Sequence, residues 1–133
     1  MNELQGQPNA ARSESRLLSA FRNSFAGLRH VIAHESAIRD ELLALVVLAP
    51  VSIALPVSRV EHLILLVSLL LVILVELLNT AVEATVDRIS LERHPLSGLA
   101  KDLGSAAVLT ALLITGLCWV MIVGPVVLRW WRR

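Results

Sequence analysis

Four polar residues at helical spacing, Glu76, Asn79, Glu83 and Asp87, close a long apolar run that begins at Leu63. At 100° per residue they form one stripe, within an arc of about 80°. A charge at membrane depth costs at least ~2.5 kcal/mol on insertion scales, and such residues mark function more often than accident. The stripe suits two kinds of chemistry. Glu76, the deepest member, suits a general base that takes a proton from a hydroxyl. A carboxylate nearer water suits Mg²⁺, which takes one or two protein carboxylates and leaves the rest of its shell to water and substrate phosphates. Glu83 is placed for that task, with Glu35 as a second carboxylate from a different helix. Phosphoryl transfer needs mainly positioning and charge neutralisation, which such a set supplies. The same stripe also fits a small proton-coupled transporter, in which an intramembrane Glu binds and releases a proton. Glu76 alone also fits an ion pair with a neighbouring helix, and Asn79 fits interhelical glue.

The elements that must hold this stripe are membrane helices. The 133 residues are 56% hydrophobic, above the share of an ordinary soluble domain, and the mean hydropathy is +0.71. No Lys, Arg, Asp or Glu occurs between Asp102 and Arg129, a gap of 26 residues. A helix needs about 20 apolar residues to cross a bilayer. Leu103 to Leu128 is one span and Leu63 to Val82 a second. Leu42 to Val57 is a third, shorter and interrupted by Pro50 and Pro56. In full, helices are expected over about 38–57, 63–90 and 99–128. Leu91 to Gly98 reads as a loop, with Pro95 and Gly98 as breakers. Residues 1–14 read as a disordered tail and 15–133 as a single membrane domain. Within it, Leu17, Leu18, Phe21, Phe25, Leu28, Val31 and Ile32 share an arc of about 140°, opposite Arg22, Asn23, Arg29 and His30. That pattern predicts an amphipathic surface helix over 16–33.

Lys and Arg bias sets the orientation. Arg12, Arg16, Arg22, Arg29 and Arg39, and then Arg88, Arg93 and Lys101, place the N-terminal segment and the connection between the last two spans in the cytoplasm. The Arg129–Arg133 tail then lies outside, against the rule, with two tryptophans suited to an interface belt. Glu35, Asp40, Glu41, the stripe, Lys101 and Asp102 thereby gather at one membrane boundary. Three spans bury little surface alone, which favours a homo-oligomer; Gly104, Ser105, Ala106, Ala107 and Gly116 suit close helix approach. A net charge of +1 gives no sign of nucleic-acid binding. The single cysteine, Cys118, excludes an intrachain disulfide. No P-loop, kinase Gly-rich loop, GxSxG or HExxH motif is present.

The segments Val75-Glu-Leu-Leu-Asn-Thr-Ala-Val-Glu-Ala-Thr-Val-Asp-Arg-Ile89 and His94-Pro-Leu-Ser-Gly-Leu-Ala-Lys-Asp-Leu-Gly-Ser-Ala-Ala-Val108 closely resemble prokaryotic diacylglycerol kinase. The pattern ExxN(S/T)xxExxxD followed by AKDxGSAAV is specific, and Gly27-Leu-Arg29, Glu35 and Arg39 match upstream. The resemblance covers roughly Arg16 to Gly124. It departs at Ser19 and Asn23, where the family often has Lys and Tyr.

The resemblance implies an all-α integral membrane homotrimer, each subunit with three transmembrane helices and an N-terminal amphipathic surface helix. It implies transfer of the γ-phosphate of MgATP to the 3-hydroxyl of 1,2-diacylglycerol, giving phosphatidic acid, at the cytoplasmic face of the bacterial inner membrane. Glu76 is then the catalytic base, and Glu35 and Glu83 are the metal ligands. Arg16, Asn23, Glu35, Glu83, Glu92, Arg93, His94, Lys101 and Asp102 match the ATP side. Arg16, Ala20, Phe25, Arg29, Arg39, Glu41, Glu76, Ser105 and Trp119 match the lipid side, with Asn79 and Asp87 in support. Undecaprenol kinase, with the same fold and motif, is the nearest alternative. The transporter is the alternative from another class.

Overall fold

In the computed structural model, backbone is described for residues 9–132 except Leu91 and Arg93, and side chains from Arg16 onward with the same two exceptions. The described residues form four α-helices and no strand. They are α1 (Asn9–His34), α2 (Ser36–Ala54), α3 (Arg59–Ile89) and α4 (Pro95–Trp131). The chain divides into two units, Met1–Glu35 and Ser36–Arg133.

The first unit is α1 and its end. The helix begins at Asn9, inside the segment expected as a tail; residues 1–8 lie outside the described ones. No glycine or proline interrupts it before Gly27, and the Arg and Ala residues of its first turns propagate a helix readily. It ends at His34. The Glu35 amide still donates to the Val31 carbonyl at 2.8 Å, and Glu35 itself is not helical.

The second unit is a three-helix bundle in which α3 is the shared member, packed against both α2 and α4. Ser58 starts α3 with a reciprocal cap. Its amide donates to Glu61 Oε2 at 2.7 Å, and its hydroxyl accepts from the Glu61 amide at 3.3 Å. A cap of this kind satisfies two otherwise orphaned donors. From there α3 runs 31 residues without Gly or Pro. It buries Leu65, Ser68, Leu69, Val72, Ile73 and Glu76, the three-and-four spacing of a packing seam.

Of the three expected spans, α3 and α4 are long and apolar enough to cross a membrane. The helix α2 has 19 residues, carries Arg39, Asp40 and Glu41 in its first two turns, and contains Pro50. It stops at Ala54, short of the expected Val57, because a residue before proline, here Leu55, disfavours helical backbone.

The start of α4 corrects the expected loop. Pro95 through Gly98 are helical, so the helix begins four residues before Leu99. His94 is the N-cap, with Nδ1 accepting from the Leu96 amide at 3.2 Å. Proline at the first helical position has no amide to orphan and a backbone angle already suited to the helix. Read as a breaker, Pro95 is instead the initiator.

Candidate active site

Glu76 is the last member of the α3 seam and is 8% exposed. It occupies a position that the preceding turns give to Leu69, Val72 and Ile73. Beyond it the stripe grades towards solvent: Asn79 and Glu83 are half-buried and Asp87 is exposed. Burial within the chain therefore falls from Glu76 to Asp87 along one helix face.

Facing α3, α4 supplies a complementary ladder. Lys101 Nζ lies 2.6 Å from Asp87 Oδ1 and within electrostatic range of Glu83. One level deeper, Asn79 Nδ2 donates to Glu83 Oε1 at 3.3 Å. The other end of that amide, Oδ1, is buried without a protein hydrogen-bond partner and turns towards Gly104. A methyl group at Gly104 would collide with Oδ1 and lie 3.2 Å from Asn79 Cγ. Gly104 is thus a required close approach. Deeper again, the Thr115 hydroxyl lies 2.9 Å from both the Ser68 carbonyl on α3 and the Ala111 carbonyl of its own helix. Asp87–Lys101, Asn79–Gly104 and Ser68–Thr115 run in opposite order on the two helices, which makes them antiparallel.

The helix α2 brings Glu41 within electrostatic range of Glu76. Glu41 also lines an apolar cavity of about 370 Å³ with Leu48, Leu69, Val72, Thr115 and Trp119. Two buried polar atoms on residues of its wall, Glu41 Oε2 and Trp119 Nε1, have no protein partner. The cavity joins a carboxylate to aliphatic walls, an arrangement suited to a molecule with one polar end.

Of the residues singled out by sequence, Glu41, Glu76, Asn79, Glu83, Asp87, Lys101 and Trp119 are linked through α3 and its two neighbours. Asp102 and Ser105 are exposed on α4, Arg39 on α2, and Glu92 in the connection after α3, its amide donating to Ser90 Oγ at 3.0 Å. His94 has the capping task already described. Arg93 lies outside the described residues. Arg16, Ala20, Asn23, Phe25 and Arg29 are exposed along α1, and Glu35 follows it, half-buried. Gly104, expected to allow close helix approach, does so against Asn79, whereas the Thr115–Ser68 tie has no signature in the sequence beyond a threonine in an apolar helix.

Among the described residues no three His, Cys, Asp or Glu side chains are gathered for a metal. A site completed by substrate phosphates does not need three. Glu83 fits that role: its carboxylate is partly open, with one oxygen oriented by Asn79.

Residues 22–123 match the family model described as prokaryotic diacylglycerol kinase. A Pseudomonas aeruginosa protein named diacylglycerol kinase is 50% identical over 107 residues, covering 80% of this chain and 87% of its own. Proteins of the same name from Haemophilus influenzae and Escherichia coli K12 are 44% identical over 103 residues and 42% over 105. These cover 77% and 79% of this chain, and 87% and 86% of their own.

Proposed function

Because the chain belongs to the prokaryotic diacylglycerol kinase family, we propose that it transfers the γ-phosphate of ATP to the 3-hydroxyl of 1,2-diacylglycerol, giving phosphatidic acid. The observation that carries the mechanism is the burial of Glu76 at the junction of the apolar seam and the polar ladder. A lipid hydroxyl and a nucleotide phosphate meet only at such a junction.

In this mechanism Glu76 accepts the hydroxyl proton as the lipid oxygen bonds to the γ-phosphorus. The bond from that phosphorus to the β–γ bridging oxygen breaks and ADP leaves. The cavity beside Glu41 and Trp119 takes part of one acyl chain, its volume being far below that of a whole diacylglycerol. Lys101, held by Asp87, and Asp102 face the nucleotide side. Glu35 and Glu83 would hold Mg²⁺, which supplies charge neutralisation on the phosphates when bound. Asn79 keeps the Glu83 carboxylate turned to that task. Arg16, Asn23, Glu92, Arg93 and His94 complete the nucleotide side. Ala20, Phe25, Arg29, Arg39 and Ser105 complete the lipid side.

The same reading takes α2 as the third span, α1 as an amphipathic helix in the headgroup layer, and the active form as a homotrimer in the inner membrane with its site facing the cytoplasm. Large apolar side chains exposed in the single chain on α3 and α4 support membrane and subunit contacts over most of those helices.

The test is ATP-dependent phosphorylation in lipid micelles, with diacylglycerol and undecaprenol side by side. Phosphatidic acid formed at the higher rate is the expected outcome. Preference for undecaprenol would reassign the lipid, and proton flux without ATP hydrolysis or a phosphorylated lipid would overturn the kinase reading.

A further inference from the structure

His30 and His34 stand one helical turn apart near the end of α1. Both are exposed. Their rings stack, with centroids 4.3 Å apart and planes 28° from parallel. His34 Nδ1 lies 2.8 Å from the His30 carbonyl oxygen. A carbonyl only accepts, so Nδ1 carries the proton, and in the neutral ring Nε2 is left with its lone pair. Metal-ligating histidines commonly have this arrangement, donating the second ring nitrogen to a backbone carbonyl, which fixes both tautomer and ring orientation.

Two imidazoles on successive turns of one helix face are a bidentate nitrogen donor. The ring stack places them on the same side of the helix; a shared cation requires the rings to splay, because lone pairs in planes 28° from parallel do not meet at one point. Imidazole nitrogens suit zinc, copper and nickel, whereas carboxylate, carbonyl and water oxygens suit magnesium. Neither histidine has a part in the phosphoryl-transfer chemistry above. We propose that His30 and His34 form a two-nitrogen site for a divalent transition cation of the zinc or nickel class, separate from the Mg²⁺ carboxylates. Two protein ligands leave coordination positions to water or an external donor, so the site is open. A bound cation ties the last two turns of α1 together, one residue before Glu35.

The test is calorimetric titration of Ni²⁺ into the full-length chain, made without a polyhistidine tag, in detergent micelles containing excess Mg²⁺. One Ni²⁺ per chain is expected. Binding is expected to vanish in the His30→Gln/His34→Gln double variant and to persist in Glu83→Gln. Both substituted histidines are exposed, and an unchanged far-ultraviolet circular dichroism spectrum confirms that the double variant is folded. The proposal is overturned if wild type binds no Ni²⁺, if the double variant binds it as well as wild type, or if excess Mg²⁺ or the Glu83→Gln change removes it. None of these results bears on the kinase reading, which rests on lipid phosphorylation.

Discussion

Gly104→Ala is the most direct probe of how α4 holds the stripe. The added methyl would strike Asn79 Oδ1 and crowd Cγ at 3.2 Å. The obstacle is a short side chain on a neighbouring helix, so either Asn79 rotates away or the helices part. Parting costs about 1–3 kcal/mol as overpacking. Rotation breaks the 3.3 Å bond from Asn79 to Glu83, and a hydrogen bond to a charged group contributes roughly 1.5–3 kcal/mol at most. Either route thus predicts a loss of about 1–3 kcal/mol. If Glu83 also loses its orientation, the same range corresponds to roughly 5- to 150-fold in kcat/KM, at 1.36 kcal/mol per tenfold. The assay is a double-mutant cycle on unfolding in fixed micelles, with phosphorylation measured alongside. In an Asn79→Ala background the methyl has room, so Gly104→Ala should there be nearly neutral. Equal destabilisation in both backgrounds, or a fully stable and active Gly104→Ala single variant, would refute the reasoning.

Glu76→Gln keeps the shape of the buried side chain and removes the proposed base. Turnover should fall by about 10²–10⁴, the usual worth of general acid–base catalysis, with ATP binding retained; a wild-type rate would sink the assignment. Glu83→Gln should raise the Mg²⁺ concentration needed for half-maximal activity, and an unchanged Mg²⁺ titration would remove Glu83 from the metal site. Lys101→Met breaks a pair whose side chains are 38% and 48% exposed, so stability should change by less than about 1 kcal/mol. A large activity loss in a stable Lys101→Met protein would then report a nucleotide contact, and wild-type KM for ATP would exclude one. Ser58→Ala removes the α3 cap far from the stripe and should cost about 1 kcal/mol without altering KM for either substrate, as a thermal-inactivation series paired with steady-state kinetics would show.

The α3 stripe was legible because helical spacing is a local property. Counting from Glu76 to Asp87 gives the face, along which burial falls from Glu76 to Asp87. Partners across helices were not legible. That Asn79 meets Gly104, or Ser68 meets Thr115, depends on the register between α3 and α4, which no local pattern encodes. Glu41 and Trp119, 78 positions apart in the numbering, share a cavity wall for the same reason. The start of α4 was misread because Pro95 has two opposite local meanings. The choice between them depends on His94 supplying the cap. The beginning of α1 at Asn9 was missed because Ser, Asn and Gln in the opening residues read as tail composition, although Ala10 and Ala11 favour helix.

The long α4 helix leaves most of its side chains outward in the single chain, with Ala111 and Val126 its buried residues. In a bilayer those outward leucines and valines gain nothing by choosing protein over lipid, because the tails are as apolar as they are. Where they meet lipid and not another subunit, their identity is then nearly free to drift, provided length and greasiness are kept. The positions denied that freedom are the small and hydroxylated ones, Gly104 and Thr115, where one methyl too many or one hydroxyl too few changes how α4 sits on α3. Random substitution across this helix should therefore yield an inverted map of tolerance: bulky apolar positions forgiving, and the two least conspicuous residues unforgiving.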